Sequence, residues 1–257
     1  MGSTKFFVMS SRTIVLTLFF LCPVLAFSQS LQLHYDLRHT IDPKYTRKNY
    51  PAFYFEYFIS FDSAKGFIKP GAFLLKVQTE LTGEKHNTGQ FYMQVSQTFR
   101  FWKPKVFLQL QYNGGLGIAE PGAYGYYLTN AFSLGAAYPF RSKNMKAFFN
   151  AYISYKYTDF KKPSHDMISA FYWLLFFSNY SINFSGNLVF LTENRNHGDG
   201  LTNNLSGKKF LFYGDPQIWF RLIKGFSAGT RLNLFYHILR ENNSFQAYPT
   251  IGVRYQF

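Results

Sequence analysis

The side chains best able to do chemistry in this sequence stand inside stretches that are otherwise apolar and aromatic. The charged ones are Asp36, Arg38, Glu56, Lys76, Glu80, Arg100, Lys156, Asp215, Arg231 and Arg254. Rings stand near them at Tyr54, Phe58, Tyr92, Phe107, Tyr213, Trp219, Phe235 and Tyr248. Amides follow the same stretches at Gln78, Gln94, Gln109, Gln111, Asn113, Asn130, Asn183, Gln217 and Asn233. Rings stack planar molecules, at about 1–3 kcal/mol per nucleobase, and amides bond base edges or hydroxyls. This is the chemistry of holding a small solute rather than of changing it.

Covalent chemistry finds little support. Barrel lipases pair a His with a Ser two residues on, so that both lie on one face of a strand; none of His34, His39, His86, His165, His197 and His237 has such a partner. Ser164-His165-Asp166 has the residues of a triad, but neighbours on an extended segment point to opposite faces. Glu193, His197 and Asp199 could ligate a divalent cation, although spacing is all that suggests it. A single Cys excludes a disulfide scaffold and a cysteine-based zinc site. We therefore expect no catalytic residue, no metal and no cofactor.

The elements that must position these residues are strands. In the last stretch, Phe245, Ala247, Pro249, Ile251, Val253, Tyr255 and Phe257 hold one parity; Gln246, Thr250, Gly252, Arg254 and Gln256 hold the other. Period two over such a length exceeds an ordinary strand and suits a tilted transmembrane one, which needs about 9–11 residues. The pattern recurs at 71–82 and 90–101. It predicts twelve strands: 31–39, 51–60, 71–82, 90–101, 106–113, 126–138, 147–157, 167–176, 180–192, 208–220, 226–239 and 245–257. Ten is the alternative if 106–113 or 167–176 fails, the latter being apolar on both parities. An even count returns the chain to the side where it began, as in bacterial outer-membrane barrels. The connections alternate between a longer set, including 40–50, 114–125 and 193–207, and a shorter set, including 102–105 and 177–179. Turn formers fill the longer set, as at Asn113-Gly114-Gly115 and His197-Gly198-Asp199-Gly200.

Every one of the charged residues named first falls on the parity opposite to its strand's apolar side chains. A Lys or Arg facing lipid at the bilayer midplane costs about 2–4 kcal/mol, which would enforce that sorting. A soluble sandwich also sorts its faces, so the membrane expectation rests on more. The chain of 257 residues is 21% aromatic but only 16% charged, and its mean hydropathy of −0.14 excludes a bundle of spanning helices. Residues 1–28 read as a secretory signal peptide, with Lys5 and Arg12 before the apolar Ile14–Ala26 and a cleavage site at Ala26-Phe27-Ser28. Its removal takes Lys5 and Arg12 from a net charge of +14 and leaves +12 on residues 29–257, a single outer-membrane barrel domain. The excess collects on the shorter turns, at Lys65, Lys69, Lys103, Lys105, Arg141, Lys143, Lys146, Arg221 and Lys224 against Asp62. Such a rim would attract anions or lipid headgroups. No nucleic-acid motif accompanies it.

Arg254-Tyr255-Gln256-Phe257 resembles the signal read by the barrel-assembly machinery, with Tyr255 and Phe257 carrying the likeness. Across about 31–257, the segments NYPAFYFEYF (49–58), AKGFIKPG (64–71), FYMQVSQTFRFWKPKVFLQLQYNGGLG (91–117), KKPSHD (161–166) and YGDPQIWF (213–220) resemble the Tsx-like nucleoside-specific outer-membrane channels, chiefly their Bacteroidetes-type relatives. The resemblance implies a twelve-stranded barrel with a narrow, selective lumen, and transfers no individual nucleoside-binding residue. The expectation is an all-β, up-and-down transmembrane barrel in a Gram-negative outer membrane, in contact with its lipid. It passes small solutes, with nucleosides or similar hydroxylated aromatics leading. A plugged receptor barrel that binds a partner through its loops is the alternative, and a lipid-modifying barrel enzyme follows. Oligomeric state is left open.

Overall fold

The computed structural model describes residues 28–60, 67–83, 87–119, 124–144, 146–240 and 242–257. The expected leader, Met1 to Ser28, lies outside them apart from Ser28. The strands run β1 (Ser28–Asp36), β2 (Tyr50–Ser60), β3 (Lys69–Glu80), β4 (Gln90–Arg100), β5 (Phe107–Ala119), β6 (Tyr124–Arg141), β7 (Ala147–Thr158) and β8 (Ser164–Phe177). They continue with β9 (Ile182–Asn194), β10 (Lys208–Gly214), β11 (Gln217–Ile223), β12 (Phe226–Tyr236) and β13 (Phe245–Gln256). One short helix, α1 (Arg38–Ile41), follows β1.

Neighbouring strands pair antiparallel, and β13 pairs back onto β1 from Ser30↔Gln256 to Asp36↔Thr250. β10 and β11 share one place in the wall, since each pairs with both β9 and β12. The result is a closed barrel of 12 strand positions, which leaves no edge exposed. The expected twelve strands are all present, including 167–176, which falls within β8.

Alternation sorts the two faces. Along β13, Gln246, Tyr248, Thr250, Gly252 and Arg254 are buried within the barrel, while Phe245, Ala247, Ile251, Val253 and Tyr255 are exposed outside. The exterior is apolar all round, with Leu33, Phe53, Leu110, Phe132, Leu134, Ile153, Phe190 and Ile251 among its exposed side chains. The outward parity of β1 through β13 thus presents a hydrocarbon-compatible belt, and the inward parity carries the polar groups. No described helix is long and apolar enough to cross a membrane, which does not bear on a barrel.

Four expectations need correction. The first strand ends at Asp36, so Arg38 belongs to α1 and not to a strand. Gly114 and Gly115 do not turn; β5 runs through them to Ala119, with Gly115 opposite Thr129. The predicted strand 208–220 is broken at Asp215-Pro216, because Pro216 has no N–H to give the ladder. Asn130 lies on the outward parity of β6 and donates to Asp159 at 3.2 Å, so it does not line the lumen.

The break is supported from the facing strand. The Asp215 N–H donates to the Asn187 carbonyl at 3.0 Å, and the Asn187 N–H donates to the Asp215 carboxylate at 2.8 Å. A Cβ on Gly186 would lie 2.8 Å from both the Asp215 oxygen and the Pro216 Cα, so glycine is needed for this approach. At the other end of β11, Gly225 takes φ +80° in the tight turn into β12, a conformation that suits glycine.

Candidate functional site

The inward parity fills the barrel in two different ways. Towards the longer loops the lumen is packed. Arg38, carried inward by α1, pairs with Asp36 at 3.3 Å and sits over the rings of Tyr50, Phe235 and Tyr248 at 5.4, 5.5 and 5.1 Å. Asn233 donates to the same Asp36 carboxylate at 3.4 Å. Glu80, 8% exposed, accepts from Gln78 at 2.8 Å.

Below this, at mid-barrel, the strand break places Asp215 as a hub. Arg231 pairs with it at 3.0 Å, donates to the Tyr213 hydroxyl at 2.5 Å and covers the Tyr54 ring at 4.2 Å. The Tyr213 hydroxyl donates on to Asp215 at 3.2 Å. Both ions are almost fully buried, and their pairing offsets the cost of taking them from water. Tyr92 donates to Asn113 at 3.0 Å. Tyr152 and Tyr172 stack with centroids 5.9 Å apart.

His34, also on the inward face, is wholly buried. Its ring nitrogens lie 2.7 Å from Thr250 Oγ1 and 3.0 Å from Gln32 Oε1, and its ring meets Tyr54 and Trp219 edge-on at 5.0 and 5.4 Å. Trp219, fully buried, donates to Gln217 at 3.0 Å. Each polar atom of this layer that is named here has a partner, so the layer reads as a stopper.

Towards the chain ends the lumen is open. A cavity of about 650 Å3 is walled by Glu56, Phe58, Lys76, Gln94, Arg100, Phe107, Gln109, Asn150, Tyr172, Gln217 and Arg254 among others. Lys105, Arg141 and Lys143 stand in its wall as well. Lys76 pairs with Glu56 at 3.6 Å and faces the Tyr172 ring at 5.4 Å. Arg100 covers Phe107 at 5.3 Å. Arg254 covers Trp219 at 4.6 Å and donates to Asn183 at 3.0 Å.

The sequence-predicted residues therefore divide. Glu56, Phe58, Lys76, Arg100 and Arg254 reach the cavity. Asp36, Arg38, Tyr54, Glu80, Tyr92, Tyr213, Asp215, Trp219 and Arg231 are not among its lining and pack against one another or the wall beyond it. Lys156 stands apart, buried and paired with Glu193 at 3.3 Å. Sequence reasoning missed Tyr152 and Tyr172. Tyr172 lies on β8, where apolar side chains on both parities conceal which face is inward; the polar or small inward residues Ser164, Asp166 and Ala170 would have marked it. His34 was missed as a wall residue, although its parity with Gln32 and Asp36 shows it inward.

The remaining candidates resolve by geometry. Ser164 and Asp166 are buried on the inner face and hydrogen bonded to each other, while His165 lies on the outer face beside Tyr155. That is no triad. Glu193 meets His197 at 3.4 Å and Lys156, whereas the Asp199 carboxylate accepts from Thr202 at 2.7 Å and from the Leu201 N–H at 3.0 Å. The three do not converge, and among the described residues no group of three His, Cys, Asp or Glu side chains could hold a metal ion.

The family described as "Domain of unknown function (DUF5020)" matches residues 28–257. No curated protein sequence matches the chain. Among solved structures, the chain is similar to a KdgM porin at 8% identity, covering 89% of this chain and 99% of the other, with a TM-score of 0.44. A NanC porin is similar at 9% identity over 89% of this chain and 100% of the other, with a TM-score of 0.48. LpxR from Salmonella typhimurium is similar at 7% identity over 90% and 100%, with a TM-score of 0.43.

Proposed function

The chain belongs to the DUF5020 family, and from that premise we propose that it is a β-barrel of a Gram-negative outer membrane that passes small solutes. The observation that carries this reading is the cavity of about 650 Å3 inside a barrel whose outside is apolar. Water-soluble molecules have no reason to meet that outside, and the interior offers them both rings and polar groups. Eight-stranded barrels are filled by side chains and 16-stranded porins leave an aqueous channel; 12 positions lie between. A solute in this lumen must touch the wall, so selectivity follows from the wall's chemistry.

The solutes we favour are nucleosides or similar small hydroxylated aromatics, as the Tsx-like resemblance of the sequence implies. Phe107 and Tyr172 supply faces for stacking, and Gln94, Gln109 and Asn150 supply hydrogen bonds. The stopper of Tyr54, Tyr213, Arg231 and Asp215 would have to yield for passage. Affinity would be modest, since conduction requires release. The exposed rings of Tyr255 on the last strand and of Phe257 just past its end would be offered to the assembly machinery. We assign no catalytic role, since Ser164 and His165 face opposite sides of the wall.

A second reading, a plugged barrel that binds a partner through its loops, is favoured by one observation: the acids and bases of the loop-side lumen named above each meet an ion-pair or hydrogen-bond partner, Asp36 with Arg38 and Glu80 with Gln78. Proteoliposomes separate the two. Uptake of radiolabelled adenosine that exceeds uptake of a large oligosaccharide, and that saturates, is the expected result. Vesicles bearing folded protein that remain as impermeable as empty ones would support the plugged reading.

A further inference from the structure

The charge of the cavity is one-sided. Lys76 is satisfied by Glu56, the single acid among the described residues of the wall. Among the described residues, Arg100 and Arg254 meet no carboxylate within ion-pair distance. The Nε atoms of both are buried without a protein hydrogen-bond partner. Lys105, Arg141 and Lys143 line the same cavity and add to its positive charge. Leaving buried charged donors unsatisfied costs free energy, and a wall of one sign within a low-dielectric enclosure focuses its field on whatever enters.

Each guanidinium also lies over a ring, Arg100 over Phe107 at 5.3 Å and Arg254 over Trp219 at 4.6 Å. Such a planar fork matches a carboxylate or phosphate. We infer that the chain-end cavity binds a small solute bearing a carboxylate or phosphate on a planar ring, with Arg100 and Arg254 taking the oxyanion and the faces of Phe107 and Tyr172 in the cavity wall taking the ring. This rests on the reading of the cavity as a solute site and narrows its substrate class from neutral aromatics to acidic ones.

Binding to the purified protein in detergent tests it without any need for conduction. The probes are phenyl phosphate, benzoate, benzyl alcohol and benzylammonium, followed by calorimetry and by tryptophan fluorescence. Both anions should bind at least about tenfold more tightly than benzyl alcohol, the worth of one charge-assisted hydrogen bond, and benzylammonium should bind least. Arg100→Gln and Arg254→Gln should each weaken phenyl phosphate by about tenfold and leave benzyl alcohol unchanged. Heat-modifiable gel mobility confirms folding, and Arg254→Lys replaces Arg254→Gln should the latter fail to fold. Equal binding of alcohol and anion, or an undiminished anion preference in the folded Arg100→Gln variant, overturns the inference. Anion binding by a protein that conducts nothing would sink the channel reading alone; conduction without anion preference would sink this one alone.

Discussion

At the scale of single residues, the buried pair of Asp215 and Arg231, 3.0 Å apart, ties β12 to the break between β10 and β11. Parity placed Asp215, Arg231 and Arg254 inside, and they are inside. Nothing in a sequence shows that Arg231 on β12 meets Asp215 across a break in the neighbouring strand, because that contact depends on the register of three strands. The pair makes a testable claim. Asp215→Asn leaves Arg231 buried beside a neutral amide and should lower stability by about 3–5 kcal/mol, read as a fall in the urea midpoint in detergent micelles. Asp215→Asn with Arg231→Gln should cost less than the single change, and an equal or larger loss would show that the pairing is not what stabilises the layer. Asp199, in the loop between β9 and β10, has its pKa lowered from the ordinary 3.8, first by the Thr202 hydroxyl, then by the Thr202 amide. A depressed folded value contributes order that is complete above 3.8 and is lost as pH falls through the lower, folded value. Resistance of the 195–207 loop to an acid-tolerant protease should thus hold from neutrality to about pH 4 and decline only below the ordinary value. Asp199→Asn should remove that dependence.

At the scale of elements, alternation supplied all twelve wall positions, since side chains of a two-faced strand must sort by parity whatever the tertiary detail. The boundaries followed less well. Gly114-Gly115 looks like a turn because glycine is common in turns, yet in β5 it gives room for the neighbouring wall: a Cβ on Gly115 would lie 3.1 Å from the Phe91 carbonyl. The break in the tenth position had a signal in Pro216 that period two alone does not weigh. Its support on β9 is testable. Gly186→Ala puts a methyl group against Asp215, Pro216 and Trp173 and should destabilise the barrel by about 1–3 kcal/mol, measured as a lower temperature for loss of heat-modifiable mobility. A neutral result would mean that the chain at 215–216 moves aside freely. The apolar belt is tested by Leu134→Arg, outward on β6 and 49% exposed. A lipid-facing position predicts a loss of about 2–4 kcal/mol and poor insertion into vesicles, whereas a solvent-facing one would tolerate the change.

At the scale of the whole molecule, the lumen is half stopper and half chamber. The sequence showed that charges and rings were inside but not how they divide along the axis. That division depends on how far each side chain reaches across a closed wall. The chamber opens at the chain-end rim, where basic turns also collect, and the paired layer of Asp36, Arg38, Asp215 and Arg231 bars the way to the longer loops. A channel built this way should open little and seldom, and its barrier should lie in the tyrosine–arginine layer. The most direct test is single-channel recording of the purified protein in planar bilayers, with a nucleoside titrated in and with Tyr54→Ala measured beside the native chain. We predict small openings that the solute blocks in a saturable way, and larger openings once the Tyr54 ring is removed. A correctly folded protein that stays silent in both forms would contradict the account and leave a plugged barrel in its place.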